Sequence, residues 1–119
     1  MKKVLLCDDS AFIRKRVKSI LAEFNFDFFE AADGDEALTL VEKEKVDLII
    51  LDMLMPKITG QQVLLELNKR GNNVPVIALS ADIQDSTKNF CIENGAFAFL
   101  NKPPKNEELI SKVKEALNI

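Results

Sequence analysis

Five short apolar segments alternate with five longer segments of helical period along the whole chain, and that alternation constrains the fold more than any other feature. The short segments are KVLLC (3–7), FDFFEA (26–31), VDLIILD (46–52), VPVIALS (74–80) and AFAFLN (96–101). Three are nearly continuous apolar runs, as expected of strands covered on both faces. FDFFEA carries two acids and predicts an edge strand. Between them, Ile13, Val17, Ile20 and Phe24 recur at helical spacing after a cap at Ser10, carrying the first helix towards Phe24. Ala37, Leu38 and Val41 line a second helix, with Gly34 in the turn before it. Val63, Leu64 and Leu67 line a third, stopped near Gly71. Ile83, Phe90 and Cys91 mark a fourth, ended by ENGA, and Leu109, Ile110, Val113 and Leu117 line the last. Each connection is long enough only for a local crossover. The pattern is therefore (βα)5, an α/β fold with a doubly wound five-stranded parallel sheet and helices on both faces. No repeat, low-complexity stretch or linker divides residues 1–119, so one domain is expected.

The totals remove several functional classes. At 119 residues the chain can bury a genuine core. Its net charge of −3 gives no general affinity for nucleic acid or anionic membrane. The absence of histidine excludes histidine metal sites, histidine-based triads and phosphohistidine chemistry on this chain. Cys7 and Cys91 stand in no metal or redox spacing and read as small buried thiols. The start MKKVLLC resembles a lipoprotein signal only faintly, because its apolar stretch falls short of the ~7–15 residues of a signal core. No run reaches the ~18 apolar residues of a membrane span, so a cytoplasmic protein is expected.

In a doubly wound sheet, ligands bind outside the carboxyl ends of the strands. Those ends carry Asp8 and Asp9 after the first strand, Asp52 closing the third, Ser80 closing the fourth and Lys102 after the fifth. Adjacent carboxylates about 6–7 Å apart repel by roughly 2–3 kcal/mol at an effective dielectric near 20. Capping of the first helix would explain one acid, but Ser10 already offers a cap. A bound divalent cation explains both, and a third acid at Asp52 strengthens that reading. Taken singly, Lys102 reads as a surface lysine, Ser80 as a strand-end hydroxyl and the RKRVK stretch as a solvated helix face.

With these residues in place, the chain resembles the receiver domain of two-component response regulators, specifically the single-domain chemotaxis (CheY-like) type. The matching residues are the acids in CDDS, Asp52 in LIILDMLMPKITG, Ser80 in VIALSAD and Lys102 in FLNKPP. Phe99, Gly60 and the stretch AADGDEAL match as well, and the resemblance covers the whole chain. The resemblance, not the alternation, supplies the strand order 2-1-3-4-5 of flavodoxin-like and CheY-like sheets. It implies that Asp52 accepts a phosphoryl group from a CheA-like sensor histidine kinase. It implies Mg2+ held by Asp8, Asp9, Asp52 and the backbone carbonyl of Leu54, with one of the Asp8–Asp9 pair binding directly and the other through water; Asp9 is the favoured direct ligand. Lys102 would neutralise phosphoryl charge, aimed inward by a cis bond to Pro103, and Ser80 would bind the transferred group. Ser80 and Phe99 would switch the surface of the fourth helix, fifth strand and fifth helix, where a downstream protein binds. Leu54 and Asp82 would border the path of the hydrolytic water and set the phosphoryl lifetime. SADIQDST further resembles the segment of regulators that pair with a CheC/CheX-type phosphatase. The expected molecule is a monomeric receiver without an output domain, acting on proteins and binding neither nucleic acid nor membrane. Its catalysis would extend only to its own phosphoryl transfer and slow hydrolysis.

Other functions fit less well. A haloacid-dehalogenase-like phosphatase needs an acid two positions after its nucleophile, where this chain has Leu54. A flavodoxin-like FMN site needs a phosphate loop after the first strand, where DDSAF would repel phosphate. A degenerate receiver is at odds with the full set of acids. A relay or developmental regulator outside chemotaxis remains the main alternative.

Overall fold

The computed structural model describes residues 1–82 and 84–119. Five strands, β1 (Lys3–Cys7), β2 (Asp27–Ala31), β3 (Leu48–Asp52), β4 (Val76–Ser80) and β5 (Ala98–Asn101), pair in parallel in the order β2-β1-β3-β4-β5. They alternate with α1 (Ala11–Ile20), α2 (Gly34–Glu44), α3 (Gly60–Lys69), α4 (Asp85–Glu93) and α5 (Asn106–Leu117). This is the doubly wound fold that the alternation predicts, with FDFFEA on the edge. Register brings the strand ends level: Cys7 lies beside Leu51, Asp52 beside Leu79 and Ser80 beside Asn101.

The period-2 pleat divides the core into two layers. Leu5, Cys7, Ile49, Leu51 and Ala78 face α2, α3 and α4, where they meet Val41, Leu64 and Cys91. Val4, Leu6, Ile50, Ile77 and Leu79 face α1 and α5, where they meet Val17, Leu109 and Val113. Every residue of β3 and β4 is buried, because helices cover both faces. Truncating a member of either layer, such as Ile49→Ala, costs about 2–5 kcal/mol through lost transfer energy and a cavity.

Two local features depart from the sequence reading. The first helix ends at Ile20; a 3-10 turn over Ala22–Phe24 follows, and Asn25 takes a left-handed φ of 58°. Phe24 satisfies its apolar demand by stacking on Phe26 at 5.3 Å, so it does not extend the helix. Gly34 is the first residue of α2, not part of the turn; Asp33 caps that helix by accepting from the Glu36 amide. A side chain at Gly34 would collide with the Ile58 carbonyl, which keeps α2 tight against the β3–α3 loop. In the fourth helix Cys91 is buried and Phe90 half-buried, whereas Ile83 lies outside the described residues. Among the described residues, no helix is long and apolar enough to cross a membrane.

Candidate functional site

Asp8 follows β1 with nearly every polar atom committed. Its amide donates to the Ala31 carbonyl at 3.0 Å, extending the β1–β2 ladder by one residue. Its carbonyl accepts from Arg14 Nη1 at 2.6 Å, and Oδ1 accepts from the Ser10 amide at 2.8 Å. Ser10, not the acids, caps α1, accepting from the Ile13 amide. That leaves Oδ2, which is buried and has no hydrogen-bond partner. Lys102 Nζ stands 3.0 Å from it and forms an ion pair with it.

Asp52 closes β3 and is 2% exposed. Its Oδ1 accepts from the Leu54 amide at 3.2 Å and its Oδ2 from Lys102 Nζ at 3.1 Å. Lys102 is brought here by β5: its amide donates to the Ser80 carbonyl, and the Lys102–Pro103 bond is cis. The loop after Asp52 turns back into α3, where Thr59 and Gln62 form a reciprocal capping box. The Gly60 amide ties the loop shut by donating to the Met53 carbonyl at 3.2 Å.

The charges of the site do not balance. Burial raises the Asp52 pKa, and the nearby Asp8 charge raises it further; the Leu54 amide and Lys102 only partly oppose this. The Lys102 pKa is also raised: burial disfavours its charge, but Asp8 and Asp52 together outweigh burial. An ion pair normally lowers its acid, and here the acid rises because burial, and then the Asp8 charge, outweigh the Leu54 amide and the shared ammonium. Asp8, Asp9 and Asp52 place carboxylate oxygens within 4.8 Å of one another. Three acids against one lysine leave two negative charges, the complement of a divalent cation. The donor set is all oxygen, and Asp8 offers a buried oxygen lacking a hydrogen bond, so these residues fit a hard cation such as Mg2+. Burial, then Asp8, pushes the Cys7 thiol far above its ordinary value, and burial raises that of Cys91. Both thiols are buried and held neutral, which suits packing residues.

A pocket of about 510 Å³ opens beside Asp52 between Asp9, Leu54, Ser80, Asp82 and Lys102. Ser80 is buried, and its Oγ accepts from the Asp82 amide at 3.0 Å. Leu54 is 78% exposed at the mouth. Asp82 reaches the rim, but both its carboxylate oxygens are turned to α4: Oδ1 accepts from the Gln84 amide and Oδ2 from Thr87 Oγ1. Phe99 stands apart from the pocket, half-buried against the layer under α2, α3 and α4. Two contributors, Thr87 and the Thr59–Gln62 capping box, are not singled out in the sequence reading, and a third, Arg14, opens the RKRVK stretch read there as a solvated helix face, whereas its side chain is largely buried. Arg14 joins Asp8 to Glu30, and Thr87 joins α4 to Asp82; neither contact has a local signature. The capping box Thr59-x-x-Gln62 did have one.

The sheet thus carries an acid-lined pocket at its strand ends, and comparison with known proteins identifies the family. Residues 4–114 match the family model described as the response regulator receiver domain. The probable transcriptional regulator ycf27 of Porphyridium aerugineum is 36% identical over 116 residues, covering 98% of this chain and 48% of that relative. The receiver domain of the Francisella response regulator 1452 superposes with a TM-score of 0.92 at 35% identity, covering 99% and 98% of the two chains. Vibrio cholerae chemotaxis protein CheY4 superposes with a TM-score of 0.88 at 32% identity, covering 98% and 99%. The chain belongs to the response regulator receiver domain family of two-component systems. It spans about half the length of the curated relatives it matches.

Proposed function

We propose that this chain is a phosphorylation-driven switch whose acceptor is Asp52 and whose donor is a sensor histidine kinase. One observation carries the reading: Asp52 is a buried strand-end carboxylate that shares Lys102 with a second buried carboxylate and faces an open pocket. A carboxylate oxygen of Asp52 attacks the phosphorus of the kinase's phosphohistidine. The O–P bond forms as the N–P bond breaks, and the imidazole leaves. Lys102 meets the charge that develops on the phosphoryl oxygens. The Ser80 hydroxyl then donates to one of them. Asp8, Asp9, Asp52 and the Leu54 carbonyl would hold Mg2+, which when bound neutralises phosphoryl charge. The only reactions are the chain's own phosphorylation and the hydrolysis that resets it, so it acts as a switch and not as an enzyme on other substrates.

Output follows from the movement of Ser80 and Phe99, which changes the face made by α4, β5 and α5. A target protein reads that face in the cytoplasm. The chemotaxis reading, with a CheA-like kinase and a CheC/CheX-type phosphatase, draws support from the likeness to CheY4. The receiver half of a transcriptional regulator is a second reading, supported by relatives of that description.

Incubation with acetyl phosphate and Mg2+, read by intact mass, should add one phosphoryl group to wild type and none to Asp52→Asn. An adduct of equal yield on Asp52→Asn contradicts the assignment.

A further inference from the structure

Four polar side chains are buried among the described residues: Asp8, Asp52, Ser80 and Thr87. The first three belong to the site already described, and Thr87 touches that site only through Asp82. Thr87 sits in the first turn of α4, where its Oγ1 donates to Asp82 Oδ2 at 2.6 Å. The Gln84 amide donates to the other Asp82 oxygen at 2.9 Å, and the Asp82 amide donates to Ser80 Oγ at 3.0 Å. One run of hydrogen bonds thus joins a buried hydroxyl of α4 to the hydroxyl that closes β4. Gln84, at the N-cap position of α4, makes no side-chain cap, and its amide is one of the two groups that hold Asp82.

Two chemical consequences follow. The Asp82 amide occupies an acceptor position on Ser80 Oγ, which frees the Ser80 proton for an acceptor in the pocket. The Asp82 carboxylate, tied by both oxygens to α4, is kept from joining the acids around Asp52. The Thr87 hydroxyl, followed by the Gln84 amide, also lowers the Asp82 pKa, so its anion is settled where it lies.

We infer that Thr87 is a positioning residue for phosphoryl recognition: through Asp82 it orients the Ser80 hydroxyl and holds a carboxylate off the phosphoryl pocket. The inference rests on the reading of Asp52 as acceptor.

Beryllofluoride, a non-covalent phosphoryl mimic, provides the test. Its affinity in Mg2+ is measured by calorimetry for wild type, Thr87→Val, Thr87→Ala and Thr87→Ser, with circular dichroism verifying the fold. Both variants lacking the hydroxyl should bind about tenfold more weakly than wild type, as expected for one lost charge-assisted hydrogen bond. Thr87→Ser should restore binding. In an Asp82→Ala background, Thr87→Val should have no further effect, which separates positioning through Asp82 from packing of α4. Binding by folded Thr87→Val and Thr87→Ala at wild-type affinity overturns the role of Thr87 alone. An undiminished effect of Thr87→Val in the Asp82→Ala background overturns it too. A folded wild type that binds no beryllofluoride overturns the phosphoacceptor reading as well.

Discussion

Gly60 packs against the backbone of Asp52 so closely that a Cβ would land on the Asp52 carbonyl oxygen and within 2.6 Å of Met53 Cα. The start of α3 therefore clamps the residue that closes β3, and a side chain at Gly60 must push one of them away. Gly60→Ala should cost about 2–3 kcal/mol or more in urea unfolding, because both neighbours are backbone and cannot yield like a flexible side chain. Gly71→Ala is the control. Gly71 has a φ of +69° but open space around it, so only the left-handed strain of about 1–2 kcal/mol applies. Equal costs at the two positions would show that the clamp is slack.

Asp52→Asn should stabilise the metal-free protein at neutral pH, because burial and then the Asp8 charge make ionisation of Asp52 costly in the folded state. Lys102 is not stranded by this change, because Asp8 Oδ2 remains 3.0 Å away. The pH dependence has a definite sign. Burial and Asp8 raise the Asp52 pKa in the folded state, so its ionisation opposes folding. That cost is absent below the unfolded carboxyl pKa of ~3.9 and complete above the raised folded value. The advantage of Asp52→Asn should thus shrink as pH falls from 7 towards 4.5. A constant difference across that range would contradict the linkage.

Mg2+ should stabilise the wild type by binding the native state alone, by about 2.7 kcal/mol at a hundredfold excess over Kd. Asp9→Ala should lose most of the gain, because it removes the exposed member of the acid cluster without disturbing the core. The chain has no Trp or Tyr, so thermal shift with an external dye or calorimetry is the suitable measurement. An equal shift in wild type and Asp9→Ala would refute the acid cluster as the cation site.

The strands and their polar ends were legible because burial on both faces forces continuous apolar runs that stop where a polar residue begins. VDLIILD and VPVIALS end at Asp52 and Ser80, and so do β3 and β4. Phe24 misled because apolar spacing reports burial demand but not the element that meets it; the Phe26 ring answers that demand across a turn. Asp82 was legible as a residue near the pocket, but the aim of its carboxylate depends on Thr87 one helical turn away. Arg14 was misread as part of the solvated RKRVK face for a similar reason. Its partners, the Asp8 carbonyl and Glu30, meet only when β1 and β2 pair. The reason for Gly60 is likewise tertiary, since nothing local shows that Asp52 lies over it.

The phosphorylated chain should lose its phosphoryl group slowly without a partner. Leu54, exposed at the pocket mouth, offers only a hydrocarbon side chain to an incoming water, and the Asp82 oxygens are occupied by α4. Leu54→Asn supplies an amide able to hold that water and should shorten the lifetime several-fold, by analogy with water-positioning amides in phosphoryl hydrolysis. The decay of purified phosphoprotein in Mg2+ measures this. A wild-type lifetime of seconds, unchanged by the substitution, would remove both the slow decay and the need for a phosphatase.

The central claim is that the carboxylate of Asp52 forms the acyl phosphate, and borohydride reduction tests it most directly. Reduction converts a phosphorylated aspartate to homoserine, which marks the acceptor at residue level. After phosphorylation by acetyl phosphate in Mg2+, peptide mapping should find homoserine at position 52 and nowhere else. Homoserine at position 8, 9 or 82 with Asp52 intact would contradict the account.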